Sequence, residues 1–264
     1  MNLEWGRTHA EKLWHGLYAR YNPIIANRTI LDFGCSWGYM LKYLLDTDKP
    51  KQLIGVDVRD LWSAMKPVWD YENAVYPLTF LEEDIRKNTS IAEASLDVIL
   101  CTSVLQYMPP DMLESTLDKL FTLLKPGGEF LLRTRCFTSY IGADLHTQFS
   151  LPYIHLLYPG RETSAAYREQ AGRMPRYLNN LTASSYVALF QRCGFEIMDL
   201  TRRMNTRDPD IMKKVAEKWP WISPEELNVT DVEARLLRPM RAEQLNDFGQ
   251  MAKSIPWQKG VSIA

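Results

Sequence analysis

Two rhythms of apolar and polar positions run along this chain. Short apolar runs at Thr29–Phe33, 52–58, 77–81, 96–100 and 129–135 predict buried strands, because five to seven consecutive core residues suit an element covered on both faces. Between them, 39–45, 60–69 and 112–124 carry apolar residues at three- and four-residue spacing, which predicts helices. Strands alternating with helices predict a parallel sheet with helices on both sides, an α/β sandwich of three layers. Ahead of the first strand, Leu3, Trp5, Leu13, Trp14, Leu17, Tyr18 and Tyr21 form an irregular helix-compatible stripe that ends at Asn22-Pro23. After residue 135 the rhythm breaks: Gly142, Pro152, Pro159 and Gly160 punctuate the chain before a helix at 162–172, so 136–181 reads as an insertion over the sheet. The rhythm returns in a helix at 182–193, with Thr182 as N-cap and Gly194 as stop, a strand at 195–201, a helix at 208–219 and a strand at 231–237. The expected layout is one domain: a helical cap over 1–27, a core over 28–135, a lid-like insertion over 136–181, the rest of the core over 182–239, and a polar tail over 240–264.

Composition narrows the classes. With 264 residues, 46% hydrophobic and 24% charged, the chain can bury a core and is far from the disordered regime. Thirty-one basic residues against thirty-two acidic ones give a charge of -1, which offers no global field for nucleic acid or an anionic membrane. Cys35, Cys101, Cys136 and Cys193 are too scattered for a zinc or redox motif and read as reduced, buried thiols. No apolar run approaches the ~18 residues of a membrane helix, and the first ten residues lack the apolar stretch of a leader. The expectation is a cytoplasmic monomer or homodimer that acts on a small molecule, with no metal, nucleic acid or membrane partner.

The chemistry gathers at the first strand-to-helix turn, Ile30-Leu-Asp-Phe-Gly-Cys-Ser-Trp-Gly38. Ligands of an open parallel sheet bind outside the carboxyl ends of its strands, and the helix behind the turn presents free N–H groups to an anion. Gly34 and Gly38 allow the backbone to bend and approach a ligand. Asp57 closes the second strand, where it can take both hydroxyls of a ribose, and Asp84 follows the third, where it can accept from an adenine amine.

These residues resemble the class I S-adenosylmethionine-dependent methyltransferases, in particular their small-molecule group. The likeness runs from about residue 29 to 135 and continues through 182–239, including Lys125-Pro-Gly-Gly128 and Gln191-Arg-Cys-Gly-Phe195. It implies a Rossmann-like sheet of seven strands with an antiparallel terminal pair. It also implies that Asp32, Gly34, Cys35 and Gly38 hold the methionine portion of S-adenosylmethionine, that Asp57 and Val58 hold the ribose, that Asp84 and Ile85 flank adenine, and that Cys101 faces the methionine side. The family's turn more often reads Gly-Cys-Gly; here Ser36 stands at the third position. The product would be S-adenosylhomocysteine.

Two other readings share the turn. A dinucleotide fold needs Gly-x-Gly-x-x-Gly, which this turn lacks. The nucleophile elbow Gly-x-Ser-x-Gly is satisfied by Gly34–Gly38 with Ser36 as nucleophile, and Asp97 and His146 or His155 follow in the right order for a hydrolase. A hydrolase sheet has several strands before its elbow, however, and the 33 preceding residues are mostly helical in pattern. Methyl transfer to oxygen, with nitrogen or carbon as alternative acceptors, or a cofactor-binding subunit without turnover, remain the classes carried forward. Candidate bases are His146, His155 and Tyr107. Candidate substrate contacts are Arg135, Tyr140, Tyr153, Trp14 and Tyr18; Arg135 shares its strand face with Arg133 and, nearer the ligand edge, would meet a substrate carboxylate or phosphate.

Overall fold

The computed structural model describes residues 3–68, 77–142, 145–205 and 208–240; the tail expected over 240–264 lies almost wholly outside them. The opening stripe forms α1 (Leu3–Leu13), with Glu4 in its first turn and Lys12 in its last, then a wider turn at Trp14–Tyr18 and a tight one at Ala19–Tyr21 that stops at left-handed Asn22. The core follows as β1 (Thr29–Phe33), α2 (Tyr39–Thr47), β2 (Gln52–Asp57), β3 (Leu78–Glu82), β4 (Leu96–Thr102), α3 (Pro110–Leu123) and β5 (Leu124–Arg135). The insertion carries α4 (Leu145–Phe149), α5 (Ile154–Leu157) and α6 (Arg161–Ala171). The chain closes with α7 (Ala183–Arg192), β6 (Glu196–Met204), α8 (Pro209–Lys218), α9 (Pro224–Leu227) and β7 (Val229–Leu237).

The seven strands lie in the order β3-β2-β1-β4-β5-β7-β6, with β7 antiparallel to both neighbours and the others parallel. The switch in strand order falls between β1 and β4, so the crevice for a ligand opens there. Alternate residues divide between two faces. Leu31, Phe33, Ile99, Cys101 and Leu132 point into a core closed by α3 and α7. Ile30, Leu100 and Leu131 point the other way, under α2 and the Leu17–Tyr21 segment.

Two expectations are corrected. The helix over 60–69 is only a 3₁₀ stretch at Trp62–Val68: Asp60 caps it by accepting from Ser63 N at 2.9 Å, and Pro67, which has no amide donor, cannot sustain a longer ladder. Trp69 lies outside the described residues. The β6–β7 connection carries α9 as well as α8. Together they pack Met212, Val215, Ile222 and Leu227 against Phe137, Tyr153 and Leu156 of the insertion, forming a small second core. Because β6 runs parallel to β1, this connection leaves from the carboxyl edge of the sheet.

Candidate functional site

Gly34, Ser36 and Gly38 all have positive φ, at 76°, 51° and 74°, and so turn the chain from β1 into α2 within five residues. A side chain at Gly34 is excluded twice, by its φ and by Val104, whose Cγ2 would lie 2.2 Å from an added Cβ. Gly34 N and Cys35 N both donate to Val56 O, at 2.8 and 3.2 Å, which ties the turn to β2. Ser36 N donates to Asp57 Oδ2 at 3.0 Å, and Arg59 N to Oδ1 at 3.2 Å. The carboxylate of Asp57 is thus held by backbone at the carboxyl edge while keeping lone pairs for a ligand. Ser36 adopts a left-handed conformation, and its N–H makes the contact that fixes Asp57.

Two cavities meet at this turn, sharing Gly34, Ser36, Thr102 and Ser103. One, of about 400 Å³, runs beneath α1 and is lined by His9, Tyr18, Asp32, Cys35, Trp37 and Arg133 among others. The second, of about 560 Å³, opens toward β3 and is lined by Asp57, Val58, Glu83, Val104, Tyr107 and Arg176 among others. Burial, helped by the charge of Asp57, raises the Asp32 carboxyl to about 7. Burial also pushes the Tyr18 phenol well above its usual range, and its hydroxyl is hydrogen-bonded to Thr102 Oγ1 at 2.5 Å. His9 is held below the usual imidazole value by burial and then by the Arg133 charge. The first cavity is therefore polar, with an acid at its end that changes charge near neutral pH and whose proton a ligand cation would draw off.

The remaining predicted residues divide. Cys35 lines the first cavity, and burial pushes its thiol up; Gly38 caps α2; Val58 is exposed at the second cavity. Asp84 does not reach either cavity: its carboxylate caps the Ile85–Lys87 turn through Arg86 N at 3.1 Å and pairs with the Arg86 guanidinium, whose hydrogen bonds hold it below the usual carboxylate range. Its neighbour Glu83 lines the cavity instead. Ile85 and Cys101 lie in the apolar core on the α3 face. Tyr107 lines the second cavity with Arg176 Nη1 3.4 Å from its hydroxyl.

The histidines are placed elsewhere. His155 is half-buried in the insertion, its Nε2 donating to Phe137 O at 2.7 Å, and loss of solvent holds its imidazole down to about 4. His146 stands edge-on to Tyr140, and Tyr140 and Tyr153 belong to the small second core. None of these four lines either cavity. Trp14 packs on Tyr18 and Tyr43 behind the first cavity. Arg135 is also outside it; Arg133, level with Thr102 in the β4–β5 register, is the arginine that lines it. The hydrolase constellation fails on distance. Asp97 sits near the start of β4, bonded to Lys125, Arg28 and Thr29 N, five residues and so about 16 Å along the strand from the end where Ser36 lies.

Sequence reading also missed Asn179. Fully buried, it donates from Nδ2 to Leu105 O and Met108 O at 2.9 and 3.2 Å, accepts from Tyr186 OH at 3.0 Å, and donates its own N–H to Gln106 O at 2.9 Å. It pins the returning arm of the insertion to the loop after β4, three residues from Arg176 at the second cavity. No local pattern marks it, since apart from Leu181 N and Tyr186 OH its partners are backbone groups over 70 residues away. Among the described residues, no group of three or more His, Cys, Asp or Glu could hold a metal, and no helix is long and apolar enough to cross a membrane.

Comparisons with known proteins agree with this geometry. Residues 30–128 match a family model described as a methyltransferase domain. Over 113 residues the chain is 33% identical to a tRNA N(3)-cytidine methyltransferase, METTL2, of Bos taurus; the match spans 41% of this chain and 30% of that protein, so the chain aligns with about a third of the curated relative. In three dimensions it is similar to an S-adenosylmethionine-dependent methyltransferase from Mesorhizobium loti, with TM-score 0.57 and 18% identity over 85% of this chain and 97% of that one. It is also similar to the Burkholderia thailandensis 1,6-didemethyltoxoflavin-N1-methyltransferase with bound 1,6-didemethyltoxoflavin and S-adenosylhomocysteine, with TM-score 0.52 and 16% identity over 89% of this chain and 78% of that one.

Proposed function

We propose that this chain, a class I Rossmann-like S-adenosylmethionine-dependent methyltransferase, methylates oxygen of a small-molecule acceptor, with nitrogen and carbon as the alternative acceptor atoms. The observation that carries the reading is the Gly34–Gly38 turn, whose backbone both excludes a side chain from the crevice and donates to Asp57. The residues fit the cofactor: a polar half-cavity beside Asp32 for an amino-acid head, and Asp57 with Val58 at the mouth of a second for a ribose. S-adenosylmethionine supplies a methyl group already activated by its sulfonium leaving group.

This chain's own task is then positioning and exclusion of water. In the proposed arrangement Gly34, Cys35 and Gly38 give the methionine head close access to backbone, Asp32 takes its amine, and Asp57 orients the ribose. Val104, Met108 and Glu83, which line the second cavity, would hold the adenine, Glu83 in the place first given to Asp84. Tyr18 and the aromatic side of α1 close the far wall. His146 and His155 have no part in the reaction at their present positions; Tyr107 is the remaining candidate base, and an acceptor acidic enough needs none. Residues 136–181 act as the lid, with Arg176 and Tyr177 at the cavity rim.

Calorimetric titration with S-adenosylmethionine and S-adenosylhomocysteine, with NAD as control, tests the cofactor. A screen of phenolic, amine and carbon acceptors, with tRNA as one arm because a relative acts on it, then reads S-adenosylhomocysteine release. Turnover on tRNA alone would sink the small-molecule reading; cofactor binding with no turnover on any acceptor would favour a subunit that only binds.

A further inference from the structure

On the α2 face of the sheet, toward its carboxyl edge, stand four polar side chains, Asp32 on β1, Thr102 on β4, Arg133 on β5 and Glu233 on β7, with Arg135 and Asp231 one step further along. Three of the four are accounted for. Asp32 is drawn toward its neutral form by burial, and Thr102 is bonded to Tyr18. Glu233, the cross-strand neighbour of Arg133, is fully buried and ion-paired with Arg20 at 2.8 Å and with Arg203, although its Oε2 makes no hydrogen bond. Arg133 remains. It lines the cavity beneath α1, makes no ion pair among the described residues, and its buried Nε has no hydrogen-bond partner there. A guanidinium left in this state is costly unless an anion completes it, and its fork of donors suits a carboxylate or phosphate bound through two oxygens.

The cofactor already has a place for its one carboxylate. The N-terminus of α2 opens from Gly38 beside β1 and offers backbone N–H groups and the positive end of a nine-residue helix. Arg133 is rooted two strands away, past β4, and strands are spaced about 4.8 Å apart, so its backbone lies about 10 Å from that of β1. With the cofactor carboxylate served by the turn, Arg133 is left for a negative group on the other reactant. We propose that Arg133 binds an oxyanion of the methyl acceptor, so that the substrate class is small acids carrying a carboxylate or a phosphate. His9, beside Arg133 in the cavity, presents an uncharged imidazole that adds a hydrogen bond without repelling the guanidinium.

The inference rests on the methyltransferase reading, which decides which part of the crevice the cofactor fills. Its test uses protein saturated with S-adenosylhomocysteine, titrated with acetate, with inorganic phosphate and with neutral acetamide, while the arginine Nε–H resonances are followed by nitrogen-15 NMR. Wild-type protein is expected to bind at least one of the two anions with a shift of the Arg133 signal and to ignore acetamide; Arg133→Met is expected to lose the anion response while keeping S-adenosylhomocysteine affinity within about threefold. Preference for acetate or for phosphate tells carboxylate from phosphate acceptors. No anion response in the loaded wild-type protein, an unchanged response in Arg133→Met, or a loss of about tenfold or more in S-adenosylhomocysteine affinity in that variant overturns the assignment. If the wild-type protein fails to bind S-adenosylhomocysteine in the first place, it is the methyltransferase reading that falls.

Discussion

The two faces of the central sheet are built from the same strands and differ residue by residue. Along β1, Leu31 and Phe33 enter the core under α3 and α7 while Asp32 between them faces α2; along β4 and β5, Cys101 and Leu132 go one way and Thr102 and Arg133 the other. The α3 face is closed by Leu113, Leu117, Leu120 and Leu123 from one side of a helix and by Tyr186, Leu189 and Phe190 from another, all buried. The α2 face is equally well packed toward the amino edge, through Ile30, Leu100, Leu131 and Leu41, but turns polar over the last residues of each strand. Because side chains alternate with a period of two, a strand can give one face to stability and the other to chemistry without compromise between them. The comparison teaches that a substitution on the α3 face should cost stability alone, and one at the carboxyl edge of the α2 face should cost binding.

The largest effect expected is on the dry face. Leu117→Ala opens a hole among fully buried leucines and should cost about 2 to 5 kcal/mol of folding stability, read by urea denaturation, with cofactor affinity unchanged in the folded fraction. A comparable loss of affinity would break the division of labour. Gly34→Ala should cost affinity as well as stability. Its Cβ would strike Val104 in a turn whose φ of 76° already penalises alanine, so affinity for S-adenosylhomocysteine should fall by about 100-fold, or about 3 kcal/mol. Affinity within a factor of a few of wild type would remove the turn from the site.

Asp32 links the two properties, and its sign can be worked out. Burial raises the folded-state carboxyl to about 7 from 3.8, so between those values the folded protein holds a proton that the unfolded chain has released. Its contribution is therefore intact below about pH 4 and is lost as pH rises to 7. Asp32→Asn, neutral throughout, should stabilise the cofactor-free protein by about 4 kcal/mol at pH 8 and by almost nothing at pH 4, measured by thermal melts at both. The same variant should bind S-adenosylmethionine more weakly at pH 8, since the ionised carboxylate that meets the amine is gone. Equal melting shifts at the two pH values would show that Asp32 is not the buried acid the α2 face requires.

The dry face and the frame were legible in the sequence because their signals are local. Apolar runs at Thr29–Phe33 and 96–100 marked the strands, Thr182 marked the start of α7, and its side chain accepts from Ser185 N as a cap should. The turn at Gly34 and the acid at Asp57 were readable for the same reason: both lie within one strand-turn-helix-strand unit. The polar strip was not. Arg133 and Arg135 look alike from sequence, and only the register that sets Arg133 opposite both Thr102 and Glu233 says which of them enters the cavity. Glu83 and Asp84 differ by one position, and the cap geometry at Arg86 decides which carboxylate is spent on the turn. The histidines misled because a half-buried imidazole bonded to a carbonyl, as His155 is, has the same sequence appearance as a base.

Smaller effects sharpen the boundary between the faces at the turn itself. Asp57→Ala should weaken cofactor binding by about tenfold, near 1.4 kcal/mol, while the turn keeps its two bonds to Val56 O and the fold stays intact. Affinity unchanged in that variant would take the ribose away from Asp57. Ser36→Gly should be the mildest change of all, because the backbone N–H that donates to Asp57 survives and only the side chain goes. Glycine relieves the cost of a left-handed serine, about 1 to 2 kcal/mol, and gives back part of it as chain entropy on unfolding, so the net gain should stay below about 1 kcal/mol in a thermal melt. Cofactor affinity should hold within about threefold. A large loss would mean that the Ser36 hydroxyl itself touches the ligand, and the turn would then be reading the cofactor through a side chain where the α2 face otherwise offers it backbone.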